Sequence, residues 1–361
     1  MVHITRIYSM SASLPRKVLF FGSDSFALQH LIGLNRMRIE RSALITDIGV
    51  VSVNFKTPVS HYAAESRLKQ LPWPLSIENN QYDMGIIVSF GHLIPSKIIN
   101  AFPYGIINVH PSLLPRWRGA SPIIYTILND DKITGVTVTE IKPKHFDIGP
   151  ILLQEKCVVP DNCTRAQLSQ HLSIMGTRML IKALEDLSAL RKCSRDQTKI
   201  GLTNAPKTNS SFAIIKWELQ SQENIWRQYR AIGDMFNLRC SWNGVTVKLI
   251  DMVSLDEMRQ MELTEHIQME LHHDVPIGCP FYHKKSNLLC IKCTDNWVAF
   301  RNIIIRKTMT AKAFYNGYLS KEKYKDILFK TLSRQTEVSE NVTLENGHIN
   351  STSGSRIWNN H

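Results

Sequence analysis

No run of apolar residues in this 361-residue chain approaches the ~18 that a membrane-spanning helix needs. The longest stretches, such as Val18 to Phe21 and Gly85 to Val88, have strand length, so no membrane association is expected. Cysteine is sparse and falls into no pairing pattern. The seven residues Cys157, Cys163, Cys193, Cys240, Cys279, Cys290 and Cys293 are an odd number scattered over a long chain. That does not read as a disulfide framework and points to a reducing interior. Cys290 and Cys293 form one CxxC, but no second Cys pair or His pair stands at zinc spacing. In a strand, which the surrounding Leu288 to Lys292 resembles, positions three apart point to opposite faces. No metal is therefore expected. The turn after the opening strand has no GxGxxG, so a dinucleotide cofactor is not indicated. There is no internal repeat. No acidic residue precedes Asp24, and the same stretch holds Arg6, Arg16, Lys17, Ser9, Ser11 and Ser13 without the apolar core of a secretory signal. Residues 1–16 are accordingly expected to be a mitochondrial transit peptide.

What is present describes an ordinary globular chain. Hydrophobic residues make up 43% and charged residues 20%, enough to bury a real core, and the length suits two domains. The net charge is +12. Residues 1–200 carry 23 Lys and Arg against 15 Asp and Glu, and residues 201–330 carry 18 against 13. Both halves are basic, which fits a polyanionic partner such as RNA. A compartment address would produce the same composition, and the numbers alone leave the two even.

Along the chain, Lys17 to Gly22 reads as a buried strand entering a Gly turn, followed by a helix over Ser25–Leu34. Strands are expected at Val50–Val53, Tyr82–Phe90, Gly105–Val109 and Gly135–Ile141, with helices at Val59–Leu68, Pro95–Asn100 and Ile123–Asn129. Continuously apolar strands alternating with helices indicate an α/β fold, with a parallel or mixed sheet covered on both faces. Thr164-Arg-Ala-Gln167 resembles a capping box opening a further helix. Residues 17–189 are read as the first domain. The polar stretch 190–211 reads as a linker. Residues 212–330 hold one helix, Gln222–Ile232, and then short β-rich runs that suggest a small barrel. The Ser-, Thr- and Asn-rich residues 331–361 are expected to be disordered.

The densest chemical signal is Asn108-Val-His110-Pro-Ser-Leu-Leu-Pro-Arg-Trp-Arg-Gly119, leaving the carboxyl end of a buried strand, where ligands bind in open α/β sheets. Period-two alternation puts Asn108 and His110 on one face. Asp147 follows the next strand, in Phe146-Asp-Ile-Gly149-Pro150, and the three are expected to meet in a cleft at that edge. Acyl transfer to an amine passes through an oxyanion that an amide N–H and an imidazolium can stabilise, and a carboxylate with a water can take the amine's proton. Each residue also has a bland explanation, because Asn and Asp-Gly favour turns and a His beside Pro is often only hydrogen-bonded. Spacing alone leaves both open.

Asn108, His110, the run Ser112-Leu113-Leu114-Pro115, Arg118-Gly119 and Asp147-x-Gly149-Pro150 together resemble the signature of formyltransferases that use 10-formyltetrahydrofolate. Phe20-Phe-Gly-Ser-Asp-Ser-Phe-Ala27, Ser89-Phe90-Gly91 with Leu93-Ile-Pro95, Ala205-Pro-Lys207, Trp217, Arg230-Ala231 and Ala313 to Leu319 are similar to segments of the family's tRNA-acting branch in its mitochondrial form. The resemblance covers residues 17 to 320. It implies a Rossmann-like catalytic domain, an OB-like β-barrel C-terminal domain, and catalysis by Asn108, His110 and Asp147. It also implies a folate pocket lined by Phe90, Gly91 and Ser112 to Pro115. The co-substrate would be 10-formyltetrahydrofolate, without a metal, and the acceptor an initiator methionyl-tRNA in the mitochondrial matrix, served by a monomer. Lys207, Arg301 and Lys307 are candidate tRNA contacts. The last two would share a face of one uninterrupted strand. The sequence departs from the family at Asp24, where Pro is frequent. It departs again between Val51 and Pro58, where bacterial members carry a longer basic loop and this chain has one Lys, Lys56. Two other readings remain. One is a folate enzyme acting on a small amine or on water, and the other is a non-catalytic RNA-binding protein.

Overall fold

The computed structural model describes residues 16–40, 44–143, 147–271, 274–324 and 326–332. The expected transit peptide and C-terminal tail lie outside these, apart from Arg16, Thr331 and Leu332. The chain divides into two compact units, Met1–Lys207 and Thr208–His361.

In the first unit the apolar runs become the strands β1 (Lys17–Gly22), β2 (Asp47–Val51), β3 (Lys69–Leu71), β4 (Met84–Val88), β5 (Ile106–His110), β6 (Ile133–Glu140) and β7 (Ile151–Val158). Their order is β3-β2-β1-β4-β5-β6-β7. The first five run parallel, and β6 and β7 turn antiparallel. Interspersed are α1 (Ser25–Glu40), α2 (Pro58–Glu65), α3 (Ser96–Ile99), α4 (Pro122–Leu128), α5 (Arg165–Glu185) and α6 (Leu187–Lys192). The central parallel strands β1 and β4 are almost wholly apolar because both of their faces are covered. Leu19 and Phe21 meet Ile98, Ile99 and Phe102 in one cluster. Beside β5, α5 covers the face to which Val109 points, and a Cβ on Gly176 would come within 3.1 Å of the Val109 side chain and 2.5 Å of His30. Only a glycine there lets α5 sit this close to α1 and β5. The capping box at Thr164 is formed: its hydroxyl accepts from Gln167 N–H, and the Gln167 side chain accepts from Thr164 N–H at 2.9 Å.

Several elements differ from expectation. The first helix runs six residues further, to Glu40, since the buried Met37 continues its inward face. The short edge strand β3 and the strand β7 have mixed polarity, the mark of strands covered on one side only, and neither was foreseen. Residues 194–207, polar enough to read as linker, are pinned to the first unit: Arg195 and Ile151 exchange backbone hydrogen bonds at 2.8 and 3.1 Å, and Ala205 N–H donates to Arg118 at 2.7 Å. Their polar side chains serve as partners for neighbouring loops.

The second unit contains α7 (Gln222–Ile232), β8 (Leu238–Trp242), β9 (Val245–Met252), α8 (Leu255–Gln260), α9 (Leu263–Leu271), β10 (Pro280–His283), β11 (Leu288–Lys292), β12 (Trp297–Ile304), β13 (Thr308–Thr310), α10 (Ala311–Phe314) and β14 (Phe329–Lys330). Its sheet is antiparallel, ordered β10-β11-β12-β9-β8-β14 with β13 on β12. Trp217, Trp242, Phe300, Phe314 and Phe329 fill its core. Trp297–Ile304 form one continuous strand, and the chain leaves it before Arg306. Cys290 and Cys293 are both buried, although a strand would send them to opposite faces: β11 is covered on both sides, and Cys293 lies beyond its end. Burial pushes the Cys290 thiol up and Cys293 up to about 12, so both stay protonated and unreactive at neutral pH. Among the described residues no helix is long and apolar enough to cross a membrane. None of their His, Cys, Asp and Glu side chains cluster in a group that could hold a metal.

His30 supplies a pH-dependent element of stability. It is wholly buried on α1, its Nδ1 is 2.8 Å from the Phe26 carbonyl, and burial lowers it from 6.5 to about 4. The unfolded chain binds this proton more tightly, so stability is intact above pH 6.5 and is lost as pH falls toward 4. The loss should be about 3 kcal/mol in total. Denaturant unfolding of the His30→Leu variant across this range should show that part of the slope removed.

Candidate active site

β5 ends in Asn-Val-His because its last residues serve two masters: Val109 packs under α5, while Asn108 and His110 project to the opposite face. The register sets what lies over them. Ile107 pairs with Glu140 and His110 with Thr137, so the β6–β7 connection departs beside the amino-terminal end of β5. The loop after His110 departs from the other end. The two loops meet over the face that carries Asn108 and His110, at the end of β5. β6 runs antiparallel to β5, which the sequence of one strand does not reveal.

The three side chains nonetheless meet. Asn108 Nδ2 donates to Asp147 Oδ1 at 3.0 Å, and His110 Nδ1 lies 3.5 Å from the same oxygen. Gly119 N–H donates to Asp147 Oδ2 at 3.0 Å. His110 Nε2 donates to the Trp117 carbonyl at 2.8 Å, which fixes the ring and turns Nδ1 toward the carboxylate. Asn108, His110 and Asp147 are 7%, 4% and 9% exposed. Water is thus largely excluded, and each charge-assisted contact is stronger than it would be in solution. Asp147 has φ 53° and Trp117 φ 60°, left-handed conformations that persist in non-glycine residues only where the surroundings hold them. Gly119 has φ 118°, and a Cβ there would stand 2.7 Å from the Ala205 carbonyl oxygen. Glycine is required for this N–H to reach Asp147.

The loop Ser112–Gly119 is braced from beneath. Thr137 Oγ1 donates to Ser112 O at 2.6 Å and accepts from Leu114 N–H at 3.2 Å. Gln154 Nε2 donates to Leu114 O at 2.9 Å. Asp131 accepts from Arg116 Nε at 2.8 Å and from the Trp117 indole at 2.7 Å. Ser112 is wholly buried, with its hydroxyl donated to Arg116 O at 2.6 Å, and Leu114 is also buried. These two support the loop from inside. Leu113 and Pro115 are partly exposed.

Phe90 packs edge-on against Phe21 and Trp73, and Gly91 is exposed with open space where a Cβ would stand. Asp24 caps α1 through Ala27 N–H at 2.9 Å and is also hydrogen-bonded to Ser89. Burial raises the Asp24 carboxyl from its ordinary value, against the pull of those hydrogen bonds. This departure from the family's frequent Pro thus ties the first turn to the Ser89–Gly91 turn. In the second unit Arg301 is ion-paired with Glu257 at 2.5 Å. Lys307 lies in the β12–β13 turn beside Arg306, both exposed. The shared-face argument for Arg301 and Lys307 therefore does not hold, because the strand ends between them. Lys207 is exposed where the first unit ends. Thr137, Gln154, Asp131 and Gln197, the partner of the Asp147 backbone, were not singled out from the sequence. Only Thr137 carried a signal, the alternation of Gly135–Ile141.

Comparison with known proteins agrees with this architecture. The family model Formyl transferase matches residues 44–184, and Formyl transferase, C-terminal domain matches 207–319. The chain is 42% identical over 310 residues to the mitochondrial methionyl-tRNA formyltransferase of Bos taurus, covering 84% of this chain and 78% of that one. The Homo sapiens protein of that name is 41% identical over 312 residues, with 84% and 78% covered. HypX from Aquifex aeolicus, solved in complex with tetrahydrofolic acid, superposes with a TM-score of 0.55 at 14% identity, over 88% of this chain and 51% of that one, so it shares the fold. With both family models matched in sequence order and this identity over most of its length, the chain belongs to the formyltransferase family, in its methionyl-tRNA formyltransferase branch.

Proposed function

We propose that this protein transfers the formyl group of 10-formyltetrahydrofolate to the α-amino group of methionine carried on tRNA. The observation that carries the reading is the joining of Asn108, His110 and Asp147 in one buried cluster within a chain of this family. The amine nitrogen attacks the formyl carbon and a tetrahedral oxyanion develops. An amide has two N–H groups, so Asn108 keeps one for the oxyanion while the other holds Asp147. His110 is the second group that steadies the oxyanion. Asp147 receives the amine's proton through a water, and the proton is returned to the folate nitrogen as its bond to the formyl carbon breaks. No covalent enzyme intermediate is needed, because the formyl donor is already activated.

The pteridine ring of the folate would lie against the Ser89–Gly91 turn and the Ser112–Pro115 run. The Ser89–Gly91 turn offers backbone groups and open space at Gly91, and Leu93, Leu113 and Pro115 supply partly exposed apolar surface. Phe90, Ser112 and Leu114 would shape the pocket from behind.

We read the second unit as an OB-like barrel that holds tRNA. Its paired strands form an open order from β10 to β14, yet Phe329 N–H donates to Gly278 O, and Gly278 N–H donates to Lys292 O, each at 2.8 Å. These bonds bring the two ends of the order together just before β10. Lys307 with Arg306 and Lys207 are the favoured phosphate contacts, and Arg301 would first have to give up Glu257. A mitochondrial location, with the matrix as its site and residues 1–16 as the address, accords with the acid-free start and with the mitochondrial relatives. A monomer and a metal-free reaction complete the reading.

Replacing Asn108 or His110 by Ala should lower kcat ~10²–10³-fold while tetrahydrofolate binding, followed by calorimetry, stays close to wild type. A near-wild-type rate for His110→Ala would remove the mechanism. Offered methionyl-tRNA, free amines and water in competition, the enzyme should formylate the tRNA. Preference for a small amine or for water would assign it to another folate enzyme, and no turnover at all to an RNA-binding protein. For the tRNA contacts, Arg306→Ala combined with Lys307→Ala should raise KM for methionyl-tRNA and reduce its salt slope by roughly one to two units. Arg301→Ala should change that slope less. An unchanged slope in the double variant would move the tRNA off this hairpin.

A further inference from the structure

We propose that Gln197 is a positioning residue for formyl transfer: it clamps the Asp147 loop to Arg118 and so holds the buried carboxylate where it meets Asn108 and His110. The inference rests on the reading of that trio as the catalytic group.

The Gln197 side chain spends its full hydrogen-bonding capacity on the site. Oε1 accepts from Arg118 Nε at 3.0 Å and from Arg118 Nη2 at 2.6 Å. Nε2 donates to the carbonyls of Asp147 at 2.8 Å and Gly149 at 2.9 Å. A guanidinium only donates and a carbonyl only accepts, so the orientation of the amide is forced. One planar group therefore joins the loop that follows β5 to the loop that precedes β7.

The join falls where it is needed. Asp147 has φ 53°, a conformation that relaxes unless it is held. Asn108 and Gly119 hold its carboxylate, while Gln197 holds its backbone. Arg118 is drawn to Asp147 electrostatically, against the burial that lowers its pKa. Its link to Gln197 keeps the guanidinium beside the carboxylate without a direct ion pair between the two.

Gln197 is itself rigidly mounted. Arg195 and Ile151 are paired through their backbones, Arg118 N–H donates to Thr203 O at 3.0 Å, and Ser121 N–H donates to Ala205 O at 3.0 Å. Trp117 N–H donates to Thr203 Oγ1 at 2.9 Å. Residues 195–205 thus form a strap across both loops. The displacement that loss of the clamp would allow is small, but a shift of about 1 Å at a reacting group can lower a rate by ~10²-fold.

The test uses the full-length protein in four forms: Gln197→Ala, Gln197→Glu, Asp147→Asn, and Gln197→Ala combined with Asp147→Asn. Gln197→Ala should lower kcat by ~10–10²-fold with KM for both substrates little changed. Gln197→Glu keeps the length and the contacts to Arg118 but sets a carboxylate oxygen against two carbonyls, so it should not restore the rate. In the Asp147→Asn background, Gln197→Ala should add almost nothing, since both changes act through one group. A wild-type kcat in a folded Gln197→Ala protein would overturn the proposal, and so would losses that multiply in the double variant. If Gln197→Ala does not fold, Gln197→Glu alone and with Asp147→Asn carries the comparison. Asp147→Asn at the wild-type rate would instead show that the trio itself is misread.

Discussion

A carboxylate taken out of water must be met by donors on every side, and the first unit is arranged around meeting that demand for Asp147. Desolvating an unpaired charge costs far more than a single hydrogen bond returns. The amide of Asn108, the N–H of Gly119 and the ring of His110 gather on it from the end of β5 and the loop that follows. From this follow the left-handed turn at Asp147, the absence of a side chain at Gly119, and the closeness of loops that leave the sheet at opposite ends. The chemistry proposed for the site uses the same contacts, so what makes the aspartate tolerable in the fold also aims it.

The sheet is covered asymmetrically as a result. On the Val109 side of β5 a helix packs tightly. On the Asn108 and His110 side the short α3 packs by Ile106, and loops braced by Thr137, Gln154 and Asp131 cover the end of β5. A helix would cover that end with apolar side chains. Loops cover it with backbone N–H and C=O groups, which can hold ring nitrogens and carboxylates in place.

Much of this could be read in the sequence, and what could not has a common cause. Local periodicity showed the strands, the shared face of Asn108 and His110, the capping box at Thr164 and the helix Gln222–Ile232. The family resemblance, and not periodicity, implied that Asp147 belongs with Asn108 and His110. Local periodicity did not show the direction of β6. It read residues 190–211 as a linker and did not show that residues 195–205 hydrogen-bond to the loops of the first unit, because a polar segment bonded to loops looks the same as one exposed to solvent. It treated Arg301 as available, because Glu257 stands 44 residues away in sequence and pairs with it only in space. In each case the missing fact was a partner distant along the chain.

The ring of aromatic residues in the second unit sets an order of events during synthesis. Phe329 packs against Trp217, Trp242 and Phe314, and its strand gives β8 its only neighbour beyond β9 in the sheet order. A nascent chain that has emerged only through residue 320 has every other strand of this sheet, but the Ser241–Trp242 end of β8 lacks its partner, and Trp217 and Trp242 lack their contact with Phe329. Such an edge is a template for unwanted pairing. The unit can therefore close only when Phe329 and Lys330 have left the ribosome, so its sheet is completed late in synthesis.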